Sequence, residues 1–134
     1  MKYKNILLVN DINDDAETFV LVLNAIHHEI KSSVESSALE ALKKLQDSKL
    51  LPDIIFLDYN MPYLDATGFL KLLRDIKGLK AIPVVLYSRN SGLMLEELMS
   101  KFKGVQFLKK SANFKKLFKS LQKIMISDKS EKKV

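Results

Sequence analysis

Four short apolar runs of the chain end in polar residues of complementary chemistry: Ile6 to Val9 in Asn10-Asp11, Ile54 to Leu57 in Asp58-Tyr59-Asn60, Ile82 to Tyr87 in Ser88, and Val105 to Leu108 in Lys109-Lys110. Carboxylates at neighbouring ends, Asp11 and Asp58, would repel each other, and a hard divalent cation relieves such repulsion. Mg²⁺ suits the pair, because it takes oxygen ligands, few of them from protein, and completes its shell with water or phosphate. A hydroxyl (Ser88) and an ammonium (Lys109 or Lys110) could hold the oxygens of a phosphoryl group. The set points to phosphoryl chemistry at a carboxylate. The plainer alternative is that the acids only cap helices, and it suits Asp14 and Asp15. It suits Asp58 poorly, since Pro62 and a loop separate it from the next helix.

These residues act together only if the chain brings the ends of the runs together. The runs alternate with stretches of helical period. Asn13 can cap a helix with Phe19, Val22, Leu23 and Ile26 on one face. Val34 marks a short second strand, and Ser37 to Glu40 has the form of a capping box for a helix bearing Ala38, Leu42 and Leu45. Ile54 to Leu57 lacks alternation, which predicts burial on both faces and a parallel sheet. Phe69, Leu72, Leu73 and Ile76 form the next helical stripe, ended by Gly78. Pro83 is acceptable at the start of the fourth strand. Leu95, Leu98, Met99 and Phe102 form a further helix closed by Gly104, and Phe114, Leu117, Phe118, Leu121 and Met125 the last. Regular β-α alternation implies a doubly wound α/β domain, with one parallel sheet covered by helices on both faces. Ligands in such folds bind beyond the carboxyl ends of the strands, where the polar residues above lie.

Composition narrows the field. A length of 134 residues fits one domain, assigned to 1–126, with a frayed tail at 127–134 that has no apolar period. No apolar run approaches the roughly eighteen residues needed for a span, so no membrane role is expected. With 0 Cys there is no thiolate metal site, and the neighbours His27 and His28 lack further ligands. A soluble, cytoplasmic protein is the economical reading. The net charge of +6 invites nucleic acid as a partner, yet no zinc finger, basic zipper or aromatic RNA platform accompanies it. Lys115, Lys116, Lys119 and Lys123 read better as a solvated helix face, and nucleic-acid binding is disfavoured.

Leu8-Val9-Asn10-Asp11, Phe56-Leu57-Asp58-Tyr59-Asn60-Met61-Pro62, Ile82 to Ser88 and Phe107-Leu108-Lys109-Lys110, in that order, resemble the signatures of two-component response-regulator receiver domains. The resemblance covers residues 3 to 126. It implies a CheY-like, single-domain, flavodoxin-like fold with five helices and a five-stranded sheet in the order 2-1-3-4-5. It implies Asp58 as the phosphoacceptor, charged by a histidine kinase or a histidine phosphotransfer protein, in a non-enzyme with at most autophosphatase activity. Mg²⁺ would be held by the Asp11 and Asp58 side chains and the Asn60 backbone carbonyl, with Asn10 taking part through water. Ser88 and Lys110 (preferred to Lys109) would meet the phosphoryl oxygens, and Ser88 with Phe107 would form the switch. A stand-alone receiver would signal by protein-protein contact with a downstream target, dimerisation on phosphorylation being left open.

The sequence departs from the family pattern in places. Asn10 replaces a usual second acid, Ala66 a common glycine, and Ser111 a proline that usually follows the lysine through a cis bond. Arg89 is bulkier than the residue often found there and would restrict access to Asp58. A cis Lys110-Ser111 bond would cost about 2.5–4 kcal/mol, so a trans bond is expected, with Ser111 near the cap of the last helix and Lys110 aimed less firmly. Those departures motivate the alternative of a degenerate receiver that binds protein without phosphorylation. A haloacid-dehalogenase-type enzyme fits loosely, since Asn60 stands for its second acid and Pro62 for its hydroxyl. A flavodoxin would need a hydroxyl- and glycine-rich cradle that Asn10 to Asn13 does not supply.

Overall fold

The computed structural model describes residues 2–47, 49–61, 64–89 and 92–126. The sequence-predicted tail 127–134 and Pro62 lie outside the described residues. Strands and helices alternate as β1 (Asn5–Val9), α1 (Asn13–Ile26), β2 (Lys31–Glu35), α2 (Ala38–Asp47), β3 (Ile54–Asp58), α3 (Ala66–Asp75), β4 (Val84–Ser88), α4 (Leu93–Lys101), β5 (Val105–Lys109) and α5 (Phe114–Ile126). The strands form one sheet in the order β2-β1-β3-β4-β5, all pairs parallel. This is the expected flavodoxin-like arrangement.

Residue alternation along the strands divides the core in two. Leu7, Val9, Ile55, Leu57, Val84 and Leu86 pack with α2, α3 and α4. Ile6, Leu8, Ile54, Phe56, Val85 and Tyr87 pack with α1 and α5. β3 and β4 are buried along their whole length, as the unbroken apolar run of β3 requires. β2 lies at one edge and is largely exposed, so its weak sequence signal reflects a strand with little to bury.

Helix starts are where local chemistry differs most from expectation. Asn13 does not cap α1 with its side chain. Ile12 is the N-cap, with no side-chain hydrogen bond to it from the helix, and Asn13 is the first helical residue. α2 behaves as expected, with Ser37 Oγ accepting from the Glu40 amide at 3.3 Å. α3 is capped by Asp65, which accepts from the Gly68 amide at 2.8 Å, and α5 by Asn113, which accepts from the Lys116 amide at 3.1 Å. Gly78 and Gly104 turn the chain after α3 and α4 at φ +91° and +71°, backbone values that favour glycine. Leu72 and Phe114, expected on buried stripes, are 46% and 48% exposed. Leu72 lies at the margin of the apolar face of α3, and Phe114 is the first residue of α5.

Candidate functional site

The strand order brings the four polar run ends to one edge of the sheet. β1 and β3 are neighbours in register through Val9 and Leu57, so Asn10 and Asp58 follow side by side. Asp58 pairs with Tyr87, Ser88 with Lys109, and the ladder continues through the Lys110 amide to the Ser88 carbonyl at 2.7 Å. Asn10, Asp58 and Ser88 are the buried polar residues among those described.

Asp58 is 1% exposed, and its oxygens are not equivalent. Oδ1 accepts from the Asn60 amide at 3.1 Å and lies 3.1 Å from Lys110 Nζ. Oδ2 is buried and has no partner among the described residues. Burial pushes the carboxyl above the usual Asp range; the Asn60 amide and the Lys110 ammonium pull it back, and the Asp11 charge adds to the rise. Asp11 itself is exposed.

Lys110 is the lysine aimed at Asp58, while Lys109 is exposed. The Lys110–Ser111 bond is trans, there being no cis bond among the described residues. Ser111 sits at the entry to α5, its Oγ accepting from the Asn113 amide at 3.1 Å. The expected loosening of Lys110 is not found. Its side chain is 9% exposed, and its ammonium also donates to Asp15 Oδ2 at 3.2 Å and lies 5.2 Å from the centre of the Tyr87 ring. That ring packs edge-on to Phe19, and burial followed by the Asp15 and Asp58 charges pushes its hydroxyl up to about 12.

Asp15 was not singled out as a site residue from the sequence, which assigned it to helix capping. The available signal was its place in the first turn of α1, four residues beyond Asp11. Asn10 also differs in detail from a carboxylate. Its Oδ1 accepts from the Ile12 amide at 2.8 Å, and its buried Nδ2, which cannot ligate a cation, is the atom without a partner among the described residues. Phe107 is half-buried on the α2/α3/α4 side, paired with Leu86 two residues before Ser88.

The donor set fits a hard cation. No group of three or more His, Cys, Asp or Glu is assembled for a metal among the described residues, and Mg²⁺ takes few oxygens from protein. The buried Asp58 carboxylate, with the nearby Asp11 carboxylate and the Asn60 carbonyl, would be such a set for Mg²⁺.

Residues 6–122 match the model of the response regulator receiver domain. The chain belongs to this family. Its fold superposes on that of the phosphorylated cyanobacterial phytochrome response regulator RcpA with a TM-score of 0.80, at 26% identity over 91% of each chain. The Mn²⁺-bound response regulator Rcp1 gives 0.77 at 29% identity, over 90% of this chain and 91% of that one. A chemotaxis regulator of Vibrio cholerae, CheY4, shares the fold at 22% identity and a TM-score of 0.75, over 91% of this chain and 98% of that one. Among curated proteins, the Arabidopsis thaliana two-component response regulator-like APRR3 is 29% identical over 90 residues, which are 67% of this chain and 18% of that protein. Receiver domains of two-component signalling bind Mg²⁺, are generally not enzymes, and meet histidine kinases or phosphotransfer proteins and downstream targets. No helix among the described residues is long and apolar enough to cross a membrane.

Proposed function

We propose that this receiver accepts a phosphoryl group on Asp58 from a phosphohistidine of a histidine kinase or phosphotransfer protein. The observation that carries the reading is the inequality of the Asp58 oxygens: Oδ1 is held by the Asn60 amide and Lys110, while Oδ2 has no partner among the described residues. Oδ2 is therefore the nucleophile. It attacks phosphorus, an O–P bond forms as the P–N bond breaks, and the imidazole leaves with the electron pair and regains a proton. Asp11, Asp58 and the Asn60 carbonyl would hold Mg²⁺, which when bound supplies charge neutralisation of the transferring group. Lys110 meets one phosphoryl oxygen as charge leaves the Asp58 carboxylate, and Ser88, buried at the end of β4, donates its hydroxyl to another. The chain has no turnover reaction beyond the hydrolysis of its own acyl phosphate.

Output passes through the surface of α4, β5 and α5. Ser88 moves toward the phosphoryl group and Phe107, on the same side of the sheet, turns into the space released. Lys115, Lys116 and Lys119 are exposed on α5 and suit an acidic partner surface. The test is intact mass after incubation with acetyl phosphate and Mg²⁺. A single phosphoryl adduct is expected, absent in Asp58→Asn and strongly reduced by chelator. An adduct persisting at wild-type level in Asp58→Asn overturns the assignment. A wild type that takes up nothing leaves the phosphorylation-independent binding module as the function, the reading that Asn10 and exposed Arg89 at the site's margin favour.

A further inference from the structure

Lys110 has two carboxylate partners, and only one of them is consumed by the reaction proposed above. We propose that Asp15 is a positioning residue for Lys110, the fixed anchor that keeps the ammonium in the acceptor site while the charge on Asp58 is converted to an ester; the inference rests on the phosphoacceptor reading. Nζ lies 3.1 Å from Asp58 Oδ1 and 3.2 Å from Asp15 Oδ2, with the Tyr87 ring centre 5.2 Å away. The lysine side chain is 9% exposed and Asp15 24%, so the pair is screened less than a surface pair. An ammonium this enclosed needs a partner at every stage. Before transfer, Asp15 draws off part of its hydrogen bonding, so Asp58 keeps more of its electron density for attack. During transfer, the Asp58 carboxylate loses its charge, and Asp15 holds Lys110 where the phosphoryl oxygens arrive. The elements set this geometry: Asp15 stands in the first turn of α1, which packs with α5 on the sheet face carrying Phe56, Tyr87 and Leu108, and Lys110 follows β5 on that face.

One effect opposes this. Asp15 adds a negative charge near an incoming anionic donor, and at a screened separation that slows the encounter by about threefold. Loss of a charge-assisted hydrogen bond on the reacting group outweighs it, at roughly tenfold or more in rate. Removal of Asp15 should therefore slow phosphorylation.

The experiment measures the rate of acetyl phosphate uptake by intact mass in wild type, Asp15→Asn, Lys110→Met and the double variant. Asp14→Asn serves as the neighbouring charge control, because Asp14 is an exposed acid of the same helical turn. Asp15→Asn is expected to be slower than wild type by roughly tenfold. The double variant should be no slower than Lys110→Met, and Asp14→Asn should stay close to wild type. Asp15→Glu, which keeps a carboxylate on a longer arm, should recover part of the loss, and it carries the test if the asparagine variant does not fold. Equal losses from Asp15→Asn in both lysine backgrounds, or a rate at or above wild type, overturn the inference and leave the phosphoacceptor reading intact. A wild type that takes up no phosphate removes that reading, and this inference with it.

Discussion

Asp58 sits in the fold at a cost. Its burial raises the carboxyl above the usual range, and one oxygen finds no partner among the described residues. As pH rises, the unfolded chain releases this proton first, near the ordinary Asp value of about 3.9. Folded-state stability is therefore lost between that value and the higher folded one, and the loss is complete above it. Asp58→Asn, neutral at every pH, should melt higher than wild type at neutral pH, by on the order of 1 kcal/mol, the scale of one unsatisfied buried group. The advantage should disappear as pH falls below the unfolded Asp range. Thermal melts across pH check this, and a variant less stable at neutral pH would show that the Lys110 pair outweighs burial. A second prediction concerns Asn10, which turns an amide toward its surroundings where a second acid would add charge. Asn10→Asp should tighten Mg²⁺ by about 1 kcal/mol at surface-like screening, read from tyrosine fluorescence during titration, and equal affinity would place Asn10 outside the metal's field. Asp58 and Ser88 stood out in the sequence because each follows an apolar run; the run before Lys110 left Lys109 equally open, and the preference for Lys110 came from the resemblance. Asp15 did not stand out, because an acid in a first helical turn already has a sufficient reason to be there.

Among the elements, β4 and β5 would couple the site to the surface on the proposed reading. Leu86 pairs with Phe107 and Ser88 with Lys109, so a displacement of Ser88 would be passed within one strand pair to a half-buried ring. Beryllofluoride, which mimics the acyl phosphate, should shift amide resonances of β4, β5 and the facing parts of α4 and α5. Perturbations confined to residues near Asp58, with that surface silent, would count against this route. The helix starts were only partly legible. Ser37 could be identified by its capping-box spacing, and the Asn13 side chain failed as a cap because α1 begins directly from the Asn10 turn, whose own side chain receives the Ile12 amide. The trans bond before Ser111 followed from its intrinsic preference, but the aim of Lys110 did not depend on that bond. Two carboxylates fix the ammonium whatever the backbone does after it.

For the molecule as a whole, the sheet is a partition between two apolar half-cores, one with α1 and α5 and the other with α2, α3 and α4. That parallel, doubly covered design was legible in the lack of alternation in Ile54 to Leu57. Strand order was not, since period and propensity say nothing of which neighbour a strand takes; it came from the resemblance. The partition predicts how the molecule opens. β3 is central in the order β2-β1-β3-β4-β5 and contributes residues to both half-cores, so exposing its amides requires both to come apart. β2 is an edge strand of mostly exposed residues and can leave β1 while the rest stays packed. Amide exchange should therefore be slowest at Ile55, Phe56 and Leu57, with a free energy equal to that of global unfolding, and faster by at least about tenfold along Lys31 to Glu35. Asp58 lies on the slow side of that division, since it ends β3. Exchange measured in increasing denaturant separates the classes, because β3 amides should show the full denaturant dependence and β2 amides little. If β2 and β3 exchanged with one rate and one denaturant slope, the edge would be cooperative with the centre, and phosphorylation at Asp58 would be felt as far as β2.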